Sequence, residues 1–262
     1  MGISASSVQH MLLTRFNVQA FGDRPSPGLD WLLHRTDLFE NVCFPSVASQ
    51  TDQDFLWLLL LDVETPMSVL QRLFRLQVRR SFELRFVSHF DESTVREEIR
   101  RFRTAAPYLL TTRLDNDDAI AKSYFSELRD YLEPTHRNWI NFDHGLQVDQ
   151  MGLYQIRRRS NAFISLLERD AEPQTVMCTK HSYARSVAPI KHIKGGAWWL
   201  QVVHGKNLMN YIHDPTSRLS WTDAEPLIKG FCDEVIAYVK NQYSGPRLES
   251  LISRSSSSKD RI

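Results

Sequence analysis

The run Phe55-Leu-Trp-Leu-Leu-Leu-Leu61 constrains the fold more than any other stretch of the chain. Seven apolar residues are far too few to cross a bilayer as a helix, which takes about 20. They are also too uniformly apolar for a strand with one wet face, where polar residues would alternate. What remains is a strand covered on both sides, as in parallel sheets held between helical layers. Asp62 ends the run. Pro66, suited to a first helical turn, opens a helix that extends to about Arg80.

The same alternation recurs around it. His10–Phe16 reads as a buried strand, the proline- and glycine-rich stretch 23–28 as a loop, and Leu29–Phe39 as a helix. Phe82–Val87 is a strand, and Thr94 with Glu97 forms a capping-box pattern before a helix that buries Val95, Ile99 and Phe102. Tyr108–Leu114 is the next strand. Ala119–Leu132 reads as a helix stopped before Pro134. Trp139–Ile156 reads as a hairpin region turning at Asp143-His144-Gly145, and Trp198–His204 as a late strand. Thr222 and Glu225 cap a long last helix with Leu227, Phe231, Val235 and Tyr238 on its apolar face, ended by Gly245-Pro246. Alternating strands and helices predict an α/β fold: one domain over 1–250, a mostly parallel central sheet flanked by helices, and a mixed second half. The serine-rich stretch 251–262 reads as a disordered tail.

Bulk properties narrow the function. At 262 residues the chain can bury a large core without disulfides. A net charge of +1 and a pI near 7.8 argue against a general nucleic-acid binder, which is usually more basic. Cys43, Cys178 and Cys232 are scattered and odd in number, which is no disulfide framework and no zinc pattern. The N-terminus has neither a basic start nor a long apolar stretch, and the match of Met1-Gly2 and Ser6 to a myristoylation pattern is read as chance. The expected location is the cytoplasm, at most peripheral at a membrane, with no transmembrane segment.

Polar residues gather where strands end, which is where open α/β sheets bind ligands. Arg15, Phe16 and Asn17 end the first strand, Asp62 the second, and Asp115-Asn116-Asp117-Asp118 the fourth, with His204 ending the late one. If all are parallel, these belong to one edge of one sheet. Three carboxylates in four residues repel one another unless a cation sits among them, and hard cations such as Mg²⁺ or Mn²⁺ take carboxylates together with substrate phosphates. Helix capping explains one or two of these aspartates and leaves the third unexplained. Asp115, Asp117, Asp118 and His204 are therefore the candidate metal ligands, with Lys206 as a point charge for a phosphate. Trp198 and Trp199 could stack on a sugar, although strand alternation puts at least one of them in the core.

The ordered set Leu13-Thr-Arg-Phe-Asn17, Pro45-Ser46 with Gln50, Phe55-Leu-Trp-Leu58, Asp62 with Thr65-Pro66, Thr111-Thr-Arg-Leu-Asp-Asn-Asp-Asp-Ala119, Asn141-Phe142, Gly152-Leu-Tyr154 and Trp199-Leu-Gln-Val-Val-His-Gly-Lys-Asn207 resembles the bacterial putative rhamnosyltransferase family of GT-A fold glycosyltransferases. The resemblance implies a nucleotide-diphosphate sugar donor and a glycan, lipid-linked or protein acceptor. It matches an Asp-x-Asp metal motif to Asp115 and Asp117. Taken with the strand ends, the expected donor site is Arg15, Asn17, Asp62, Arg113, Asp115, Lys206 and Asn207. Transfer, expected with inversion, needs a carboxylate base for the acceptor hydroxyl. Glu168 and Asp143 are the candidates, with Asp149 behind them. Rival readings are a nucleotidyltransferase or metal-dependent phosphohydrolase, which also cluster aspartates, and an inactive glycan-binding relative.

Overall fold

A computed structural model describes residues 3–18, 28–169, 171–204, 211–212 and 214–243. The first half is built as the alternation predicts. Strands β1 (Val8–Arg15), β2 (Leu56–Asp62), β3 (Glu83–Val87) and β4 (Tyr108–Arg113) run parallel. Helix α1 (Leu29–Leu38) passes through a π-helical turn (Phe39–Cys43) into α2 (Phe44–Ala48), and α3 (Met67–Gln77) and α4 (Glu92–Arg100) fill the next connections. The β2 run is covered on both faces as its composition demands. Trp57, Leu59 and Leu61 enter one apolar cluster, Leu58 and Leu60 the other, and none is more than 1% exposed.

The second half departs from the expected outline. Ala119–Ile120 is a short strand, β5, and only Tyr124–Asp130 is helical (α5). The span 139–156 holds three strands, β6 (Arg137–Phe142), β7 (His144–Asp149) and β8 (Gly152–Arg157). The hairpin joins β7 to β8 and turns at Asp149–Gly152, where Asp149 Oδ1 accepts the backbone N–H groups of Met151 and Gly152. Asp143-His144-Gly145 is instead a crossing between sheets. Gly145 is required there because a Cβ would strike the Trp199 indole. Strands β9 (Ser165–Glu168) and β10 (Ile190–Ile193), and the short helix α6 (Ala184–Val187) between them, were not foreseen. The late strand is β11 (Trp199–Val202), and the expected last helix is two, α7 (Trp221–Ile228), capped by Ser220, and α8 (Asp233–Tyr243). Likewise α4 is capped by Asp91, not Thr94.

A seven-stranded sheet has the order β10-β6-β9-β4-β1-β2-β3, with β9 alone antiparallel to its neighbours. A four-stranded sheet has the order β5-β11-β7-β8. The chain steps from the first sheet to the second three times, from β4 through Asp115–Asp118 into β5, from β6 through Asp143 into β7, and from β10 into β11. The late strand with His204 thus belongs to the smaller sheet, and the single shared edge expected from the sequence is really a seam between two sheets. The helix α1–α2 spans that seam: Phe39 and Cys43 pack in one core, Leu38 and Val42 in the core of the smaller sheet. Among the described residues no helix is long and apolar enough to cross a membrane. The tail and the Gly245-Pro246 stop lie outside the described residues.

Candidate active site at the seam of two sheets

Strand alternation aims one row of side chains at the carboxyl edge of the large sheet. Arg15 follows Met11 and Leu13, Asp62 follows Leu58 and Leu60, and Arg113 follows Leu109, all on the face of one apolar cluster. His192, two residues after Ile190, shares that face.

The acidic run is drawn together by a residue from α1. The Arg35 guanidinium donates to Asp117 Oδ2 and Asn116 Oδ1, and stacks 5.4 Å from the Trp31 ring. Asn116 is fully buried and donates to the Phe16 carbonyl at 3.0 Å, tying the run to the end of β1. Asp118 Oδ1 accepts the Val202 N–H at 2.9 Å, which ties the run to β11. Its Oδ2 is buried without a hydrogen-bond partner. Burial, then the charges of Asp117 and Asp115, push its carboxyl well above the usual range. Burial works the same way on Asp115, but Arg113, Arg15 and Arg35 outweigh it and hold that carboxyl below the usual range.

His204 does reach the acidic run, although from the other sheet. Its Nε2 lies 3.1 Å from Asp117 Oδ2, and its Nδ1 lies 3.2 Å from His34 Nε2. Three elements therefore meet at Asp117: the β4–β5 connection, α1 and the end of β11.

A second polar cluster occupies the β6–β7 crossing. Asp143 is fully buried; its Oδ1 lies 2.8 Å from His192 Nδ1 and accepts from Asn141 at 2.9 Å, and Arg157 approaches Oδ2 at 3.4 Å. Burial raises its pKa, but His192 and Asn141 hold it below the ordinary value. His181, whose carbonyl accepts from Ser160 Oγ, has its pKa lowered by burial and by the charge of Arg113.

The remaining expected site residues divide clearly. Arg15 lies at the edge beside the acidic run, where burial lowers its pKa against the pull of Asp115. Arg113 contacts Asp115 at 3.3 Å and keeps a buried Nε with no partner. Asn17 serves the fold directly: its Oδ1 accepts the Asp62 N–H at 3.1 Å, and its amide donates to Thr65 Oγ1 at 3.0 Å. Asp62 caps the same turn through the Glu64 N–H at 2.8 Å. Lys206 and Asn207 lie outside the described residues. Glu168 is not at the site. It pairs in register with Leu109 and Arg137, at the starts of β4 and β6, so it sits at the opposite end of the sheet. There it is fully buried and bound by Arg137 at 2.8 Å. Asp149 holds the hairpin turn. Trp199 is core, stacked on Phe163 with ring centroids 4.8 Å apart, and Trp198 is half-buried against Phe142.

Arg35, His34 and His192 were missed. Arg35 carries a legible signal, because it interrupts the inward stripe Leu32–Thr36–Phe39 of α1 and a charge inside an apolar stripe needs a partner. His34 and His192 carry none.

The donor chemistry fits a divalent cation in part. A carboxylate and an imidazole 3.1 Å apart can share one ion, with His34 fixing the far nitrogen of His204. The orphaned, buried Asp118 Oδ2 is a further oxygen at the same run. Among the described residues no three His, Cys, Asp or Glu side chains form a cage able to hold an ion by themselves. The arrangement suits an ion whose shell is completed by donor phosphate oxygens, as is usual for Mg²⁺ and Mn²⁺.

A family model described as putative rhamnosyl transferase matches residues 28–213. No curated protein matches the sequence. Among solved structures, Staphylococcus aureus TarS 1–349 in complex with UDP superposes with a TM-score of 0.47 and 12% identity, over 74% of this chain and 60% of that one. HddC from Yersinia pseudotuberculosis gives 0.39 and 8% over 74% and 93%, and mouse xyloside xylosyltransferase 1 gives 0.31 and 11% over 68% and 74%. The chain thus spans about 60% of the length of the TarS fragment.

Proposed function

The chain belongs to the putative rhamnosyl transferase family, a family of glycosyltransferases, and from that premise we propose that it moves a sugar, rhamnose by the family's description, from a nucleotide-diphosphate donor to an acceptor hydroxyl with inversion. The observation that carries this reading is the meeting of Asp117, Arg35 and His204 from three elements beside the unpartnered Nε of Arg113. Cationic donors converging on a largely buried acidic run suit a diphosphate that arrives with its own counter-ion.

In this reading Asp117 and His204 hold a divalent cation, Mn²⁺ or Mg²⁺, with Asp115 and Asp118 beside them. When bound, that ion neutralises charge on the leaving diphosphate. Arg35 and Arg113 supply fixed positive charge to the same phosphates, which costs no reorganisation as the bond breaks. Asp62 is read as serving the base or ribose and Arg15 the base or phosphate; Lys206 and Asn207, expected to serve phosphate or acceptor, lie outside the described residues. The acceptor oxygen attacks the anomeric carbon, the bond from that carbon to the phosphate oxygen breaks, and its electron pair leaves with the diphosphate. The acceptor proton goes to a base on the far side. Asp143 is too enclosed to take it directly, so it acts through His192: Nε2 accepts the proton while Nδ1–H stays on the carboxylate.

The test is calorimetry of a panel of nucleoside diphosphates, UDP, GDP and dTDP, with and without Mn²⁺, together with donor hydrolysis in excess chelator. Binding that requires the metal, and hydrolysis lost to the chelator and restored by Mn²⁺, is expected. Full hydrolysis in excess chelator would remove the metal from the mechanism, and no nucleoside diphosphate binding at all would remove the function.

A further inference from the structure

Beside the Asp143–His192 pair lies a cavity of about 500 Å³ against β10, walled by Arg159, Arg185, Ser186, Pro189 and His192 among others. Among the described residues no carboxylate lines it. Arg159 and Arg185 form no ion pair with any described residue, in a chain whose other arginines are mostly matched to acids. Two exposed arginines lining one hollow, with no counter-charge among the described lining residues, make it electropositive and suited to an anion.

The wall is also held still. Either side of Arg159, the Arg158 N–H donates to the Asp143 carbonyl at 2.6 Å, Asn141 donates to the Arg158 carbonyl at 2.9 Å, and Ser160 Oγ donates to the His181 carbonyl. Behind it, Arg158 Nη2 and His181 Nδ1 are buried without hydrogen-bond partners. A backbone fixed on both sides of a cation reduces the ordering cost of binding. His192, whose Nδ1 is taken by Asp143, links the cavity to the carboxyl edge where transfer is placed.

We propose that this cavity is the acceptor subsite and that the acceptor is anionic, its phosphate or carboxylate held between Arg159 and Arg185 with the hydroxyl toward His192. The proposal rests on the glycosyltransferase reading for the word acceptor, but the anion site stands on its own geometry. The anion could belong to a soluble phosphorylated glycan or to a lipid headgroup, and one experiment separates the two.

Inorganic phosphate is titrated into the full chain by calorimetry, alongside flotation with vesicles of phosphatidylcholine alone or mixed equally with phosphatidylglycerol. The wild type should bind phosphate. Arg159→Ala/Arg185→Ala should weaken it by at least about tenfold while keeping a cooperative melt, since charge-assisted hydrogen bonds are being removed. Arg159→Lys/Arg185→Lys should retain intermediate binding, and the exposed Arg75→Ala on α3 should change nothing. Flotation with the anionic vesicles that disappears in the alanine pair assigns the anion to a lipid; phosphate binding without flotation assigns it to a soluble acceptor. No phosphate binding by the wild type, or equal weakening by Arg75→Ala, overturns the subsite. UDP affinity of the wild type, measured in parallel, tests the glycosyltransferase reading separately, so either can fail alone.

Discussion

Asp117 answers to a guanidinium and an imidazole at once, and it is 1% exposed. A carboxylate so enclosed is costly unless fully paired. Asp117→Asn keeps the shape and one acceptor while removing the charge. We expect it to melt cooperatively, somewhat below wild type, and to lose transfer by at least about a hundredfold, the scale for deleting one preorganised electrostatic contact. His204→Ala should weaken Mn²⁺-dependent UDP binding while costing little melting temperature, since the ring is held by side chains and not packed in the core. Calorimetry and a melt on both variants decide it: unchanged UDP affinity with a clear loss of melting temperature would make His204 structural. At this scale the aspartates were legible because like charges in sequence demand a counter-charge. Arg35 was readable only as an intruder in an apolar stripe. His34 and His192 were not, because nothing in a chain's order says which loop end a lone histidine will meet.

The β9 element shows why the proposed base moved. Nothing in Phe163–Glu168 marks a strand or its direction, and direction decides everything here: antiparallel to β4, the last residue of β9 falls at the far end of the sheet. There Glu168 binds Arg137 at 2.8 Å and accepts the N–H groups of Gln174 and Thr175 at 3.1 and 2.8 Å. Thr175 has φ of 70°, a left-handed conformation that a β-branched residue adopts only when its surroundings hold it there. Glu168 is that hold. Glu168→Gln should cost about 3–5 kcal/mol of stability, the range for unpairing one partner of a buried ion pair. Its kcat per folded molecule should match wild type, as read from chemical denaturation beside activity normalised to native protein. A stable variant with lost kcat would return Glu168 to the reaction. The parallel half of the fold was legible because an all-apolar strand has one home, between two helical layers. The seam was not, because β5 and β11, which carry the acidic run and His204 to the smaller sheet, are 2 and 4 residues long and hold too little pattern to show which sheet they join.

At the scale of the whole molecule, the apolar clusters on the two faces of the large sheet share β1, an interior strand, and β1 carries a histidine with no exit. His10 is buried against Phe125 with ring centroids 4.7 Å apart, and its Nε2 meets Thr112 Oγ1 at 2.9 Å. Burial, then the charge of Arg129, lowers its pKa from 6.5 to about 3. The unfolded chain therefore binds this proton as pH falls through 6.5, and the folded chain does not until pH is near 3. Stability is complete above the unfolded value and declines below it, by up to about 1.4 kcal/mol per pH unit from this one group. Carboxylates with lowered pKa, such as Asp52 and Asp143, lose their contribution only as pH drops below 3.8, so they act later. Asp118 acts in the opposite sense: its raised pKa means the folded state takes up a proton first, and acid favours folding through that group. The net acid slope of the wild type mixes these signs, but a difference between two proteins does not. In His10→Leu the Asp118 and carboxylate contributions cancel against wild type, and Thr112 keeps Ser165 as a partner at 2.8 Å. The variant should therefore lose less stability than wild type between pH 7 and pH 5, whatever its stability at pH 7. Parallel urea denaturation of the two proteins at both values measures this directly. Equal losses would mean that His10 is protonated in the folded state, and that the centre of the sheet is more open to solvent than its packing implies.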